Sequence, residues 1–419
     1  MTVIQKQAEN PIAHLTPEDI EAIGRELDAI RDEVFATLGK RDADYIRRVI
    51  KFQRLLELGS RGVLLFAIFP PAWIVGTAGL SVAKILENME IGHNVLHGQW
   101  DWMRDPKIHS TTWEWDIVAP AAMWKHSHNE IHHRYTNVVG RDNDLGYGIM
   151  RVDEDQRWKP FHLGQPVWNF INACFFEYGI AAYDLELGKF SKGRRNRKKV
   201  DEAFKRDVRR VLGKIGRQFR KDYLLHPALA ALVNPLSALP AYFATLTANA
   251  VANLARNVWT HSVIMCGHFP EGVATFAKTS IEGETRGEWY VRQMIGSANI
   301  SGGRLTHIMT GNLSFQVEHH LFPDLPSTRY QEIAPRIRDL FQRYGLDYTT
   351  GPLPKQVASA WKKVIRLSLP NDLFGRINRS GSGPEVKPAE LAEAAEPAGR
   401  PETSRLAEGP KPAQQRRVA

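Results

Sequence analysis

The chain has 419 residues, 43% of them hydrophobic, and carries a formal charge of +9. Its length leaves room for roughly two to three ordinary domains and a sizeable core. Only Cys174 and Cys266 occur, far apart and with no C-x-x-C. This argues against a disulfide framework and against a cysteine-bound zinc or iron–sulfur site.

The mean hydropathy of −0.34 suggests a soluble chain, but polar ends dilute long apolar stretches. Met1–Glu57 has no apolar run of the signal-peptide kind. Thr16–Leu38 reads as an amphipathic helix, with Thr16, Pro17 and Asp19 at its start and Gly39 as its stop. Asp44–Leu58 reads as a second helix lined by Arg47, Arg48, Lys51 and Arg54. Residues 1–60 are therefore expected to be cytosolic helices.

The character changes at Val63–Ile91, which holds one basic residue, Lys84, and is broken by Pro70-Pro71. A bilayer span needs about 20 apolar residues. The stretch suits two short helices that borrow from their flanks, a hairpin over about 62–92. His93 and His97 follow immediately. Next comes a tryptophan-rich segment with Trp100, Trp102, Trp113, Trp115 and Trp124, a residue type that gathers at membrane interfaces and in apolar clefts.

Trp124–Asn137 then holds His126, His128, His132 and His133. On a helix, His128 and His132 share one face while His126 and His133 nearly share another. Neutral imidazole is the commonest metal ligand. Arg141–Asp144 follows, and either steadies histidines from behind or forms a solvated turn.

Gln165–Leu187 is apolar but interrupted by Glu177 and Asp184, and is read as lying along the interface. Lys189–Lys221 carries fifteen Lys and Arg against three acids, which assigns it to the cytoplasmic side. It lacks aromatic interleaving and any recognition motif, so nucleic acid is not expected as a partner. Membrane lipid headgroups or an anionic ligand are.

Tyr223–Met265 is long enough for two spans, with Pro235 and Pro240 at the turn, giving a second hairpin over about 223–265. Arg256 lies deep in it beside Asn257 and His261, and a charge at that depth is expected to face a cavity or site. Phe269–Arg304 reads as loop. Leu305–Glu318 restarts a helix towards Gln316, His319 and His320, which share one face. Thr328–Tyr344 and Pro354–Leu369 read as soluble helices within a C-terminal segment 336–377. The composition of 378–419 is that of a disordered tail. If each apolar stretch is a hairpin, the three histidine clusters and the basic segment share one side. That parity favours about four crossings.

Four independent recurrences of ligand spacing make a metal site the natural reading. The clusters HNVLH (93–97), HNEIHH (128–133) and QVEHH (316–320), the last continuing into Leu321-Phe322-Pro323, resemble the histidine boxes of the membrane-bound fatty acid desaturase family. The likeness covers about residues 60–335. It is strongest in QVEHHLFP and extends to runs such as HNVLHGQWDWM, shared with actinobacterial-type acyl-CoA desaturases.

The resemblance implies an all-α integral membrane protein, with about four transmembrane helices in two hairpins. A desaturase domain over 61–335 would set a cytosolic helical cap over them, holding two irons. It implies the ligands His93, His97, His128, His132, His133, His261, His319 and His320, with Asn257 bridging through water and Gln316 standing where relatives have His or Gln. Box two is H-x3-HH rather than H-xx-HH, which leaves His126 and His128 as alternatives. Gln316 is a weak neutral donor and is either a ligand or a hydrogen-bonding neighbour.

The activity implied is O2-dependent insertion of a cis double bond into a long-chain acyl group. The best match is stearoyl-type acyl-CoA at position nine; position six on an acyl-lipid and a related di-iron hydroxylase are the alternatives. No G-x-G-x-x-G follows a strand pattern and no HPGG motif of a fused cytochrome b5 occurs. Electrons are thus expected from a ferredoxin or cytochrome b5-like donor with its reductase. The place implied is the cell membrane, multi-pass, with the site on the cytoplasmic side. A histidine-rich transporter would need its ligands at mid-span rather than at span ends.

Overall fold

The computed structural model describes residues 11–142, 144–185, 197–371 and 373. The tail beyond 378 and residues 189–196 of the basic segment lie outside them.

The N-terminal helix α1 (Pro17–Ala36) starts where the sequence marks it. Thr16 accepts from the Asp19 N–H while Asp19 reaches back to the Thr16 N–H. Its apolar stripe, Ile23, Leu27 and Ile30, is fully buried. The second helix, α2 (Lys40–Leu64), is longer than expected and runs into the apolar stretch. Residues 65–69 turn the chain. Then α3 (Pro70–Leu86) returns and carries on through a wide π turn, Glu87–His93, and the short turn Asn94–Leu96.

α4 is composite: Ala121–Trp124, a second π turn Lys125–His132, then His133–Tyr135. α5 (Gln165–Cys174) and α6 (Phe176–Asp184) are short, and α5 shows Val167, Phe170 and Ile171 to the outside. α7 runs Arg197–Phe219, a third π turn Arg220–Leu225, and His226–Val233. After Pro235–Ser237 the chain reverses into α8 (Ala238–His268), 31 residues long.

Phe269–Arg304 is not a plain loop. It contains α9 (Arg286–Ile295), capped by Thr285 and Glu288 in the same reciprocal box as α1. It also contains β1 (Asn299–Ser301), which pairs in parallel with β2 (Thr350–Pro352). Among the described residues the fold is thus mostly helical with one two-stranded sheet. Leu305–Glu318 is likewise not one helix. α10 (Arg304–Met309) stops at Gly311 and Asn312, both at positive φ, before α11 (Gln316–Leu321) begins. At Gly311 a Cβ would sit 2.5 Å from the Met89 carbonyl oxygen, so only glycine fits. α12 (Tyr330–Arg343) and α13 (Leu353–Ser368) complete the chain.

Two packing regions matter for the site. α1, α9, α11 and α12 share one core through Leu27, Tyr290, Met294, Val317 and Ile337. Elsewhere α2–α3 packs beside α7–α8 through Leu64, Leu80, Ala248 and Ala252. There Thr245 Oγ1 donates to the Leu64 carbonyl. The outer faces of this pair of hairpins are apolar and exposed, with Phe66, Val75, Leu229, Leu232 and Leu239 among them.

Among the described residues no single helix is long and apolar enough to cross a membrane. The bent pair Glu202–Val233 and Pro235–His268, meeting at 118°, passes on length and composition. Ion pairs tie the hairpins together below the cap. Lys84 of α3 reaches Asp222 of α7 at 2.9 Å and Arg61 of α2 reaches it at 2.8 Å, with the Asp222 side chain fully buried. Arg256 does not face a cavity. It pairs with Glu177 of α6 and donates to the Asp116 carbonyl.

Candidate metal centre

Four elements deliver histidines to one place. The end of α3 brings His93 and His97, α4 brings His128, His132 and His133, the last residue of α8 is His268, and α11 brings His319 and His320. They sort into two groups whose ligand nitrogens lie within 4.8 Å of one another: His93, His97, His128 and His319, and His132, His268 and His320. His133 stands between them, its ring 4.7 Å from that of His97 and 4.4 Å from that of His320.

The rings are held from behind. His128 Nδ1 is 2.7 Å from Asp144, His132 Nδ1 is 2.9 Å from Asp142, and His319 Nδ1 is 3.2 Å from the Tyr330 hydroxyl. His320 Nδ1 meets Thr136 and Gln293, each at 3.2 Å. On the other side of two of these rings, His128 Nε2 and His319 Nε2 are buried without partners among the described residues, as are His97 Nε2 and both nitrogens of His133. Buried polar atoms are seldom left so. Rings fixed through one nitrogen and bare at the other are what metal ligation requires. His268 Nε2 and His320 Nε2 are 3.1 Å apart, a spacing suited to adjacent positions on one ion at about 2.1 Å.

Burial and mutual repulsion hold the imidazoles of His97, His128, His133, His319 and His320 well below their ordinary range. Burial brings His93 down to about 4. These rings are neutral at physiological pH and keep their lone pairs for a metal. His132 differs: burial opposes its charging, but the carboxylates of Asp142 and Asp144 outweigh burial and raise it.

Eight of the eleven residues read from the sequence gather at the centre. His126 is exposed beside Glu130, so His128 is the one turned inward. Gln316 borders the second group, its Nε2 3.1 Å from His268 Nε2. Asn257 and His261 stand apart. Asn257 donates to the Cys174 carbonyl, and His261 Nε2 meets Asn169 at 3.0 Å. His268 fills the position expected of His261. It lies seven residues further along the same helix, two turns on and nearly the same face, and that spacing was the signal available for it. Asp142 and Asp144 stand where the RDND reading put them; Thr136, Gln293 and Tyr330 carried no signal in the sequence.

The model of the fatty acid desaturase family matches residues 67–352. A Mycobacterium tuberculosis protein described as an NADPH-dependent stearoyl-CoA 9-desaturase is 51% identical over 375 residues, 90% of this chain and 86% of its own. A Synechocystis sn-1 linoleoyl-lipid 6-desaturase is 23% identical over 294 residues, 69% of this chain and 79% of that one. Two converging groups of buried imidazoles, in a chain so matched, lead to one conclusion: this chain belongs to the fatty acid desaturase family.

Proposed function

We propose that this chain is an O2-dependent acyl-CoA desaturase that sets a cis double bond at position nine of a stearoyl-type chain. The observation that carries it is the convergence of buried, neutral histidines in a sequence 51% identical to a stearoyl-CoA 9-desaturase.

One iron would be held by His93, His97, His128 and His319, the other by His132, His268 and His320, with His133 between and Gln316 at the edge. Bound iron, with O2 as cosubstrate, supplies oxidising power that no side-chain acid or base has against an unactivated C–H bond. The protein's own part is orientation and exclusion of water. Asp142, Asp144, Tyr330 and Gln293 fix the rings. Beside His93 and His128 lies a small cavity whose apolar walls, Met89, Trp115, Trp124, Phe176 and Leu313, suit an alkyl chain and whose other walls include Asn88, Ser127 and Thr260.

The exposed apolar faces of α2–α3 and α7–α8 support insertion as two hairpins, four crossings in all, with the centre on the cytoplasmic side. Electrons come from an external ferredoxin or cytochrome b5-like donor and its reductase.

The test is expression in a host lacking its own desaturase, with double bonds located by mass spectrometry. The expected product is a monounsaturated chain with its double bond at carbon nine. Hydroxylated chains would replace this reading with a di-iron hydroxylase; a bond at carbon six of membrane lipid would replace acyl-CoA and position nine.

A further inference from the structure

The cavity beside the histidines has a mixed lining: Asn88, Ser127 and Thr260 are buried beside its apolar walls, and Asp144 and Asp184 stand on its less buried side. Met89, Phe176 and Leu313 are buried, whereas Tyr147 and Tyr183 are partly exposed. The two phenols face the same space, with ring centroids 6.4 Å apart and planes at 89°. Both hydroxyl oxygens are buried and have no hydrogen-bond partner among the described residues. Burial holds both phenols protonated, so each is a donor at neutral pH.

Tyr147 is also placed against backbone preference. It has φ +51° between Gly146 at +75° and Gly148 at +69°. An aromatic residue held at positive φ is strained, and such strain is retained where position matters. Its ring is locked edge-on by Phe176 at 5.8 Å.

A hydrocarbon chain gives two buried donors nothing to bond. Its thioester carbonyl does, and it is the one strong acceptor that a fatty acyl thioester brings along with its chain. The two phenols also stand on the less buried side of the cavity, where the carbonyl must stay if the methyl end goes in first. Resting on the acyl-CoA reading above, we infer that Tyr147 and Tyr183 form a carbonyl site at the mouth of the acyl cavity. Their hydroxyls donate to the thioester oxygen and so fix how many carbons lie between it and the histidines. They are positioning residues, removed from the reacting carbons.

The test is a cycle of two ligands against three proteins. Stearoyl-CoA and S-octadecyl-CoA, the thioether with CH2 in place of the carbonyl, are titrated into the holoenzyme and its Tyr147→Phe and Tyr183→Phe variants. Each variant loses one oxygen that bonds nothing in the protein, so the fold should be untouched. The wild type should bind stearoyl-CoA about tenfold more tightly than the thioether, and each variant should lose about threefold for stearoyl-CoA alone. In the double variant the double bond should spread to neighbouring carbons. Equal losses for both ligands, or no loss with the bond still at one carbon, would overturn the carbonyl site. A wild type that binds neither ligand would overturn the acyl-CoA reading, and this site with it.

Discussion

His268 and His261 share helix α8 but have opposite surroundings. His268 meets His320 and Gln316 across the cluster, whereas His261 is satisfied by Asn169. His268→Ala should therefore lower bound iron from about two to about one per chain, while His261→Ala should keep both. Metal analysis of the purified proteins checks this, and equal loss in the two would return His261 to the ligand set. The three box clusters were legible because a helix stacks residues four apart, so spacing alone reports a shared face. His268 was passed over: its seven-residue spacing from His261 marks a shared face, but the partners that distinguish it, Gln316 and His320, lie far off in sequence. The choice between His126 and His128 needed the partners too: Glu130 in solvent for one, a half-buried Asp144 for the other.

Among the elements, α9 shows how a helix can be overlooked. It is ten residues long and follows a glycine-rich stretch, yet its Thr285–Glu288 cap is an ordinary helix start. It matters because Gln293 touches His320 and Arg292 holds the carbonyls of Arg134 and Thr136. α9 crosses α1 where Gly24 meets Gly287, and a Cβ on Gly287 would lie 2.6 Å from the Ile20 carbonyl. Gly287→Ala should cost about 1–3 kcal/mol by forcing the helices apart. Thermal unfolding should show a lowered Tm, and an unchanged Tm would mean the crossing is loose. The break between α10 and α11 was hidden for a related reason: the clash that demands Gly311 comes from Met89, more than two hundred residues away in sequence.

At the scale of the whole molecule, the hairpins present Leu232 at 77% and Leu236 at 102% exposure, values that water would penalise. The expressed protein should stay with the membrane fraction through alkaline carbonate washing and come away only in detergent. Release by carbonate would contradict insertion. The hairpins were readable as apolar runs, but their helices were not, since α2 and α7 enter those runs from basic amphipathic segments. The ion pairs between hairpins have a consequence for how the chain is made. Lys84 precedes its partner Asp222 by 138 residues, roughly 7–28 s of synthesis. During that interval the counter-charge left to Lys84 is the more distant Asp116, 3.7 Å away in the finished fold. The nascent first half is therefore provisional, and arrival of the second hairpin commits it. A chain truncated before Asp222 should be recognised as unfinished and degraded.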